Sequence, residues 1–347
     1  MSHILSIATA VPEHCYSQVQ LKDNATRIYD GQRGLERLLA VFETAGVQQR
    51  HLAFPLSYYT SGKSFDERNA DYTTKSLELL EQATGEALEK ANVNCEQIDH
   101  IFCVTTTGLA TPSLEALLVH RMGFRSDVRR SPLFGIGCAG GVAALARAAE
   151  YLKAFPNQHV LVLAVELCGQ VFSPRALTPT DLIGAALFSD GAAAVVMGGE
   201  EAARGGPRIL FSRTNLFPDT QDLMGWDFTA NGMRLRLSRK VPQIVLQYVK
   251  PAVERFVAEC AMSSSDIRHW VLHPGGPRVM EAYREAFGIS HETLAPARDC
   301  LRDFGNLSSA ATLFVLESVA ERASVGDRGL MVALGPGFAA EMILLRW

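Results

Sequence analysis

The stretch HVLVLAVEL, residues 159–167, is apolar at almost every position. A strand with one wet face alternates apolar and polar side chains, so a run this unbroken predicts a strand covered on both faces. HILSIATA (3–10), HIFCVTTTG (100–108) and SPLFGIG (131–137) read the same way. Between them, TTKSLELLEQATGEALEKANV (73–93) and GGVAALARAAEYLKAF (140–155) place apolar residues at helical spacing. Strand and helix alternate, which predicts an α/β fold with helices layered against sheet.

The second half of the chain repeats the theme. VPQIVLQYVKPAVERFVAECAM (241–262), PRVMEAYREAF (277–287) and LSSAATLFVLESVAERA (307–323) are helical patterns. IRHWVLH (267–273) is a strand, and GLMVALGPG (329–337) with AAEMILLRW (339–347) closes the chain as a strand pair. Two segments echo each other: LFSDGAAAVVMGG (187–199) and LGPGFAAEMILLRW (334–347) each read as strand, glycine-containing turn, two alanines and strand. The Gly-rich, charged GGEEAARGGP (198–207) joins the halves that they end. The prediction is a pseudo-duplicated architecture, one half over 1–200 and the other over 201–347.

Composition narrows the function classes. The chain has 347 residues, 48% of them apolar, enough for a substantial core. A formal net charge of −4 without a long Lys/Arg block argues against nucleic acid or an anionic membrane as partner. No apolar run reaches the ~18 residues of a membrane span. The first residues, MSHILSIATAVPEHC, read as a strand and not as a secretory signal. Seven widely spaced cysteines without a CxxC predict neither a disulfide framework nor a zinc site, and a reducing cytoplasm is the expected setting.

One of those cysteines has an unusual position. In SPLFGIGCAGGVAALARAAEYL (131–152), Cys138 follows a strand and precedes an alanine-rich helix, and Ala139, Gly140 and Gly141 permit a tight turn. The positive end of a helix dipole favours thiolate, and the thiolate is a nucleophile. A buried Cys packed as a small apolar residue is the alternative. His273 ends an apolar strand before PGGP, where α/β sheets gather their sites. A strand-end His that satisfies a backbone group is equally open. Asn306, after Gly305 and before an apolar helix, suits either an N-cap or an amide donor aimed at a developing oxyanion.

GCAGG around Cys138, ALFSDGAAAVV (186–196), HPGGP from His273, GNLSSA around Asn306 and GPGF (335–338) occur in this order. In these motifs the chain resembles the type III polyketide synthases, the chalcone-synthase-like family, over nearly its whole length. The resemblance implies a thiolase-type fold, two pseudo-equivalent halves in αβαβα layers, and a homodimer. It implies a Cys138–His273–Asn306 triad that condenses an acyl-CoA starter with malonyl-CoA. Coenzyme A carries the substrates, and neither a metal nor a prosthetic group is needed. The resemblance makes Phe188 the gatekeeper between a coenzyme A tunnel and the reaction cavity. Arg50, in GVQQRHL, is the candidate cation for the coenzyme A phosphates, with an ordinary surface arginine as the alternative.

Departures from the plant pattern bear on the substrate. The motif is CAGG and not the longer CFAGG, and Leu235 stands where plant members carry a second cavity phenylalanine. Thr106, Cys168 and Val171 fall at other wall positions, and Gly225 of GWDF and Phe338 of GPGF are counted with them as substrate-binding. VELC (165–168) and GWDF (225–228) point to the bacterial alkylpyrone and alkylresorcinol synthases, which accept fatty acyl-CoA starters. Losing an aromatic wall opens volume, and each buried methylene of a lipid chain is worth ~0.8 kcal/mol. The expectation is a fatty acyl starter extended by repeated decarboxylative Claisen condensation and cyclised to an alkylpyrone or alkylresorcinol. A tetrahydroxynaphthalene-type synthase fed by malonyl-CoA alone is the alternative within the family. An initiating β-ketoacyl synthase shares the triad but follows its His with Gln-Ala-Asn, where this chain has PGGP. A Cys hydrolase does not account for the duplicated halves and GPGF, nor a silent scaffold for the intact triad.

Overall fold

The computed structural model describes residues 1–171, 178–202, 205–229 and 232–347, with Val171 and Gly232 described by backbone alone. Its strands are, in chain order, β1 (Ser2–Ala10), β2 (His14–Ser17), β3 (Gln49–Leu52), β4 (Ile98–Thr105), β5 (Arg129–Phe134), β6 (His159–Leu167), β7 (Asp190–Gly199), β8 (Arg208–Leu216), β9 (Met224–Thr229), β10 (Gly232–Leu237), β11 (His269–Leu272), β12 (Arg328–Gly335) and β13 (Ala339–Arg346). β1, β7, β6, β4 and β5 lie side by side in that order, and so do β8, β13, β12 and β11. The two sets meet only where β1 touches β8, through Ser2–Ile209 and His3–Arg208.

The sets repeat one plan. Each starts with an antiparallel pair, β1–β7 or β8–β13. A second antiparallel pair follows, β7–β6 or β13–β12, and then a parallel pair, β6–β4 or β12–β11. β5 extends the first set by one parallel strand. This is the duplicated thiolase-type layout that the resemblance implies. The echo behind it is partly misread: residues before β7 form the helix Pro179–Leu187 and not a strand, because Thr178 and Asp181 build a capping box ahead of Pro179.

β6 explains its own unbroken run. Val160, Val162 and Ala164 turn into the core shared with the helix Gly140–Ala154. Leu161, Leu163 and Val165 turn into the core under the helix Phe65–Ala91. Strand side chains alternate faces, so a strand between two helical layers needs an apolar residue at nearly every position. β5 carries a similar pattern with a different outcome. It is the outermost strand, mostly solvent-facing, with Phe134 49% exposed. A short apolar run says nothing of a strand's place in the sheet.

The helices Gly140–Ala154 and Ala311–Ala320 lie between the two sets of strands. On the outside, Phe65–Ala91 covers β1, β7 and β6. Beyond the other set, Phe287 at the end of the helix Pro277–Phe287 stacks on Trp270 of β11. The layers are thus αβαβα. Phe65–Ala91 starts well before its apolar pattern, because Ser64 and Glu67 cap it reciprocally. The helical pattern over 241–262 is interrupted by a π-helical turn, Val245–Val249. Pro251 has no amide hydrogen and crowds the carbonyl four residues back, and the wider turn before it relieves both. The central helices approach closely because Gly140–Ala154 is rich in buried alanine. At Gly141 even a Cβ would lie 2.4 Å from the carbonyl oxygen of Ser309.

Candidate active site

Cys138 sits in a short 3-10 turn, Gly137–Ala139, between β5 and the central helix Gly140–Ala154. Gly137 has a φ of +55°, and a Cβ there would meet Pro336 Cδ at 2.6 Å, so glycine is required twice over. Its amide donates to Thr106 Oγ1 at 3.2 Å. Cys138 Sγ lies 3.6 Å from Ser308 Oγ as a hydrogen-bond donor. Burial pushes the thiol up to about 12, the Ser308 contact pulls it down, and the Glu166 carboxylate pushes it up again. Desolvation thus works against the tilt towards thiolate expected from the helix dipole.

The stretch from Gly305 to Thr312 gathers the rest. Gly305, with a φ of +74°, turns the chain so that Asn306 pairs with the segment entering β7. Asn306 N donates to Leu187 O at 2.8 Å, and Ser189 N donates to Asn306 O at 3.0 Å. Asn306 Oδ1 accepts the Ser308 amide at 2.9 Å. The cap position of the turn Ser308–Ala310 is Leu307, so this bond is an Asx-type turn ahead of it and leaves the side-chain NH2 to donate. The N-cap reading of Asn306 is thus corrected. His273 follows β11, and its amide bonds to Val332 O at 3.0 Å. The ring Nδ1 lies 3.5 Å from Thr312 Oγ1. Burial lowers the imidazole to about 4. Cys138 and Asn306 both contact Ser308, and His273 contacts Thr312 one turn further on.

Glu166 belongs to this corner, although it was not singled out by sequence reasoning. It is fully buried in β6, and its carboxylate accepts from Thr106 N at 3.0 Å, Thr107 Oγ1 at 2.8 Å and Ser309 Oγ at 2.6 Å. Burial raises its pKa and these donors oppose the rise. The available signal was a lone carboxylate in an otherwise apolar strand, since such a group is rarely buried without a purpose-built set of donors.

Beside the corner lies a chamber that opens to solvent and is lined mostly by apolar side chains. Leu21, Ala25 and Ile28 of the helix Gln18–Ile28 form one wall, and Leu52 and Leu56 continue it. Trp226 and Leu235, paired across the β9–β10 hairpin, form another. Cys168 and Phe188 close one side, and Phe188 pairs with Asn306 directly. Trp226 lies 6.1 Å from Phe188, ring to ring.

The structure sorts the remaining expected site residues. Cys168, Leu235 and Phe188 line the chamber. Thr106 does not; it is buried under the Cys138 turn. Gly225 lies in β9 beside Trp226, which supplies the wall in its place. Phe338 is fully buried against Phe217, with ring centroids 6.2 Å apart, and belongs to the core. The side chain of Val171 lies outside the described residues. Arg50 is not at the surface; it lines the chamber beside Leu52. It is 5% exposed, its Nη1 donates to the carbonyl of Phe188, and burial lowers its pKa to about 10. Among the described residues no cluster of His, Cys, Asp and Glu is placed to hold a metal ion. No helix is long and apolar enough to cross a membrane.

Comparison with known proteins agrees with this geometry. The model of the N-terminal domain of chalcone and stilbene synthases matches residues 1–201, and that of the C-terminal domain matches 208–347. A 1,3,6,8-tetrahydroxynaphthalene synthase of Streptomyces peucetius subsp. caesius is 39% identical over 351 residues, covering 99% of this chain and 93% of that one. An alpha-pyrone synthesis polyketide synthase-like protein of Mycobacterium tuberculosis (strain CDC 1551 / Oshkosh) is 29% identical over 356 residues, covering 98% and 90%. The crystal structure of the tetrahydroxynaphthalene synthase of Streptomyces coelicolor A3(2) superposes with a TM-score of 0.94 at 31% identity, covering 99% of each chain. The chain belongs to the chalcone and stilbene synthase family, the type III polyketide synthases, and is an acyl-condensing transferase.

Proposed function

We propose that the protein loads an apolar acyl group from coenzyme A onto Cys138 and extends it with malonyl-CoA. The thiol proton passes to His273 as Cys138 attacks the thioester, and coenzyme A leaves as its thiol. Burial disfavours either charge alone, so thiolate and imidazolium form together as a pair. Malonyl-CoA then loses carbon dioxide, and the electron pair left behind forms an enolate. His273 and the Asn306 NH2 donate to its oxygen. The carbanion attacks the acyl-Cys138 carbonyl, the C–S bond breaks, and the chain is two carbons longer. The extended chain, now a coenzyme A thioester, returns to Cys138 with release of coenzyme A as its thiol, and repetition followed by cyclisation gives an alkylpyrone or alkylresorcinol.

The observation that carries the starter class is the chamber. Its walls of Leu21, Ala25, Ile28, Leu52, Leu56 and Leu235 suit an alkyl chain. A second reading, an aromatic product from malonyl-CoA alone, is favoured by the 39% identity to a tetrahydroxynaphthalene synthase. Mass spectrometry of products separates them. Purified protein receives malonyl-CoA alone, then with acyl-CoA starters of increasing length. Products that peak with long starters support the first reading, and an aromatic product without starter supports the second. The expected homodimer is part of the proposal. β5 is the outermost strand, and Phe134 on it lies 6.4 Å from the exposed Phe228. A monomeric mass in solution would refute that part.

A further inference from the structure

The charge on Arg50 is buried at a place where the mechanism proposed above does not use it. Its strand, β3, pairs with β2 on one side. On its other side it is tied to the segment that enters β7. His51 N donates to Ser189 Oγ at 2.9 Å, and Ser189 Oγ donates to His51 O at 2.9 Å. Ala53 N donates to Asp190 Oδ2 at 2.7 Å. Arg50 Nη1 donates to the carbonyl of Phe188. The far side of the same segment holds Asn306, through the Leu187 carbonyl and the Ser189 amide. Residues 187–190 are therefore clamped between Arg50 with β3 and Asn306.

The clamp is close on every side. At Gly305, next to Asn306, a Cβ would meet Leu187 O at 2.9 Å, Ser189 Cβ at 3.1 Å and Arg50 Cγ at 3.4 Å. The Arg50 stem thus packs against the turn that orients Asn306, while its head holds the carbonyl of Phe188. Asp190 balances the charge nearby and is itself fixed by the amides of Ala53 and Gly169, each at 2.7 Å. Arg50 Nε has no hydrogen-bond partner among the described residues. A lysine cannot reproduce this head, since its ammonium lacks the flat fork of a guanidinium.

We infer that Arg50 is a positioning residue: by holding the Phe188 carbonyl it sets the Asn306 amide and the Phe188 ring for the decarboxylation step. The inference rests on the function proposed above and replaces the coenzyme A phosphate role expected for this residue.

The test separates loading from decarboxylation in the full-length protein. Loading is read as the mass of acylated Cys138 after incubation with dodecanoyl-CoA. Decarboxylation is read as carbon dioxide released from malonyl-CoA. In Arg50→Met, the KM for malonyl-CoA stays within about twofold of wild type, while decarboxylation falls about tenfold or more and far further than loading does. Arg50→Lys keeps a cation and shows the same split with a smaller loss, and it decides the matter if Arg50→Met does not fold. Loading and decarboxylation that fall in proportion with the melting temperature would assign Arg50 a purely structural role and overturn the inference. A raised KM with unchanged turnover would return Arg50 to coenzyme A binding and overturn it too, as would a variant with both activities intact. Wild-type protein that neither loads nor decarboxylates would instead refute the functional reading itself, and the inference with it.

Discussion

Around Cys138 the chain is packed too closely to admit a further methyl group, and the chamber wall is packed less closely. A Cβ at Gly137, Gly140 or Gly141 would come within 2.4–2.6 Å of Pro336, Val104 or the carbonyl of Ser309. The chamber wall offers a contrast at Gly184, in the helix Pro179–Leu187. There a Cβ would meet two side-chain ends, Leu235 Cδ2 at 3.2 Å and Phe188 Cδ2 at 3.9 Å. The corner therefore tolerates almost no change in shape, because the Pro336 ring, the branched Val104 side chain and the Ser309 backbone are all packed with little room to move aside. The chamber can be reshaped one side chain at a time. Chemistry and substrate range are built from different parts of the same fold.

The largest test of the corner is Cys138→Ala. Product should fall by at least ~1000-fold, since the proposed carrier of the acyl group is removed. The melting temperature should stay nearly constant, and undiminished product would refute the assignment of Cys138.

His273→Gln probes the charge pair. Alkylation of Cys138 by iodoacetamide near neutral pH should slow by about tenfold or more, because the thiolate loses its only proposed counter-charge. An unchanged rate would mean that the thiol ionises unaided. The same variant tests stability. The imidazole is lowered to about 4 in the folded chain, against about 6.5 when unfolded. The unfolded state thus binds the proton more readily, and His273 lowers stability as pH falls from about 6.5 towards 4, by roughly 1–3 kcal/mol. Melting curves of His273→Gln should be flatter across that window and unchanged above it. An equally steep decline would exclude His273 as its source.

Two glycine variants set the regions against each other. Gly141→Ala should destabilise by about 1–3 kcal/mol through overpacking and lower activity with it, because the helix must move from Ser309. Gly184→Ala should leave the melting temperature unchanged or slightly higher, since alanine favours a helix, and should alter only the preferred starter. Equal destabilisation in both would erase the contrast between corner and chamber.

The smallest expected effects are in chain length. Leu235→Phe and Cys168→Phe each fill part of the chamber. The preferred starter should shorten, with each excluded methylene worth ~0.8 kcal/mol, about fourfold in relative rate. Competition between acyl-CoA esters of neighbouring length reads this directly, and an unshifted preference in both variants would show that the alkyl chain lies elsewhere.

Much of the fold was legible because strand burial writes itself into local pattern. β6 spans the residues its apolar run predicts, His159–Leu167, and the helix Pro277–Phe287 matches its pattern residue for residue. The helix Gln18–Ile28 and the hairpin β9–β10 left no such trace, since both are only partly buried and mix polar with apolar residues. They are two walls of the chamber, so the substrate site was less visible than the catalytic one.

The sequence by itself determined which residues stand at the strand ends and turns. Cys138, His273 and Asn306 each lie in a motif whose glycines and prolines force a local conformation, and local conformation needs only neighbours in the chain. Tertiary structure alone decided what surrounds them. The thiol meets Ser308 across 170 residues, Glu166 meets Ser309 across 143, and Arg50 meets Phe188 across 138. Burial of Arg50, the raised thiol and the chamber all arise from such long-range contacts. Desolvation depends on everything packed around a group, and no stretch of neighbouring residues encodes that.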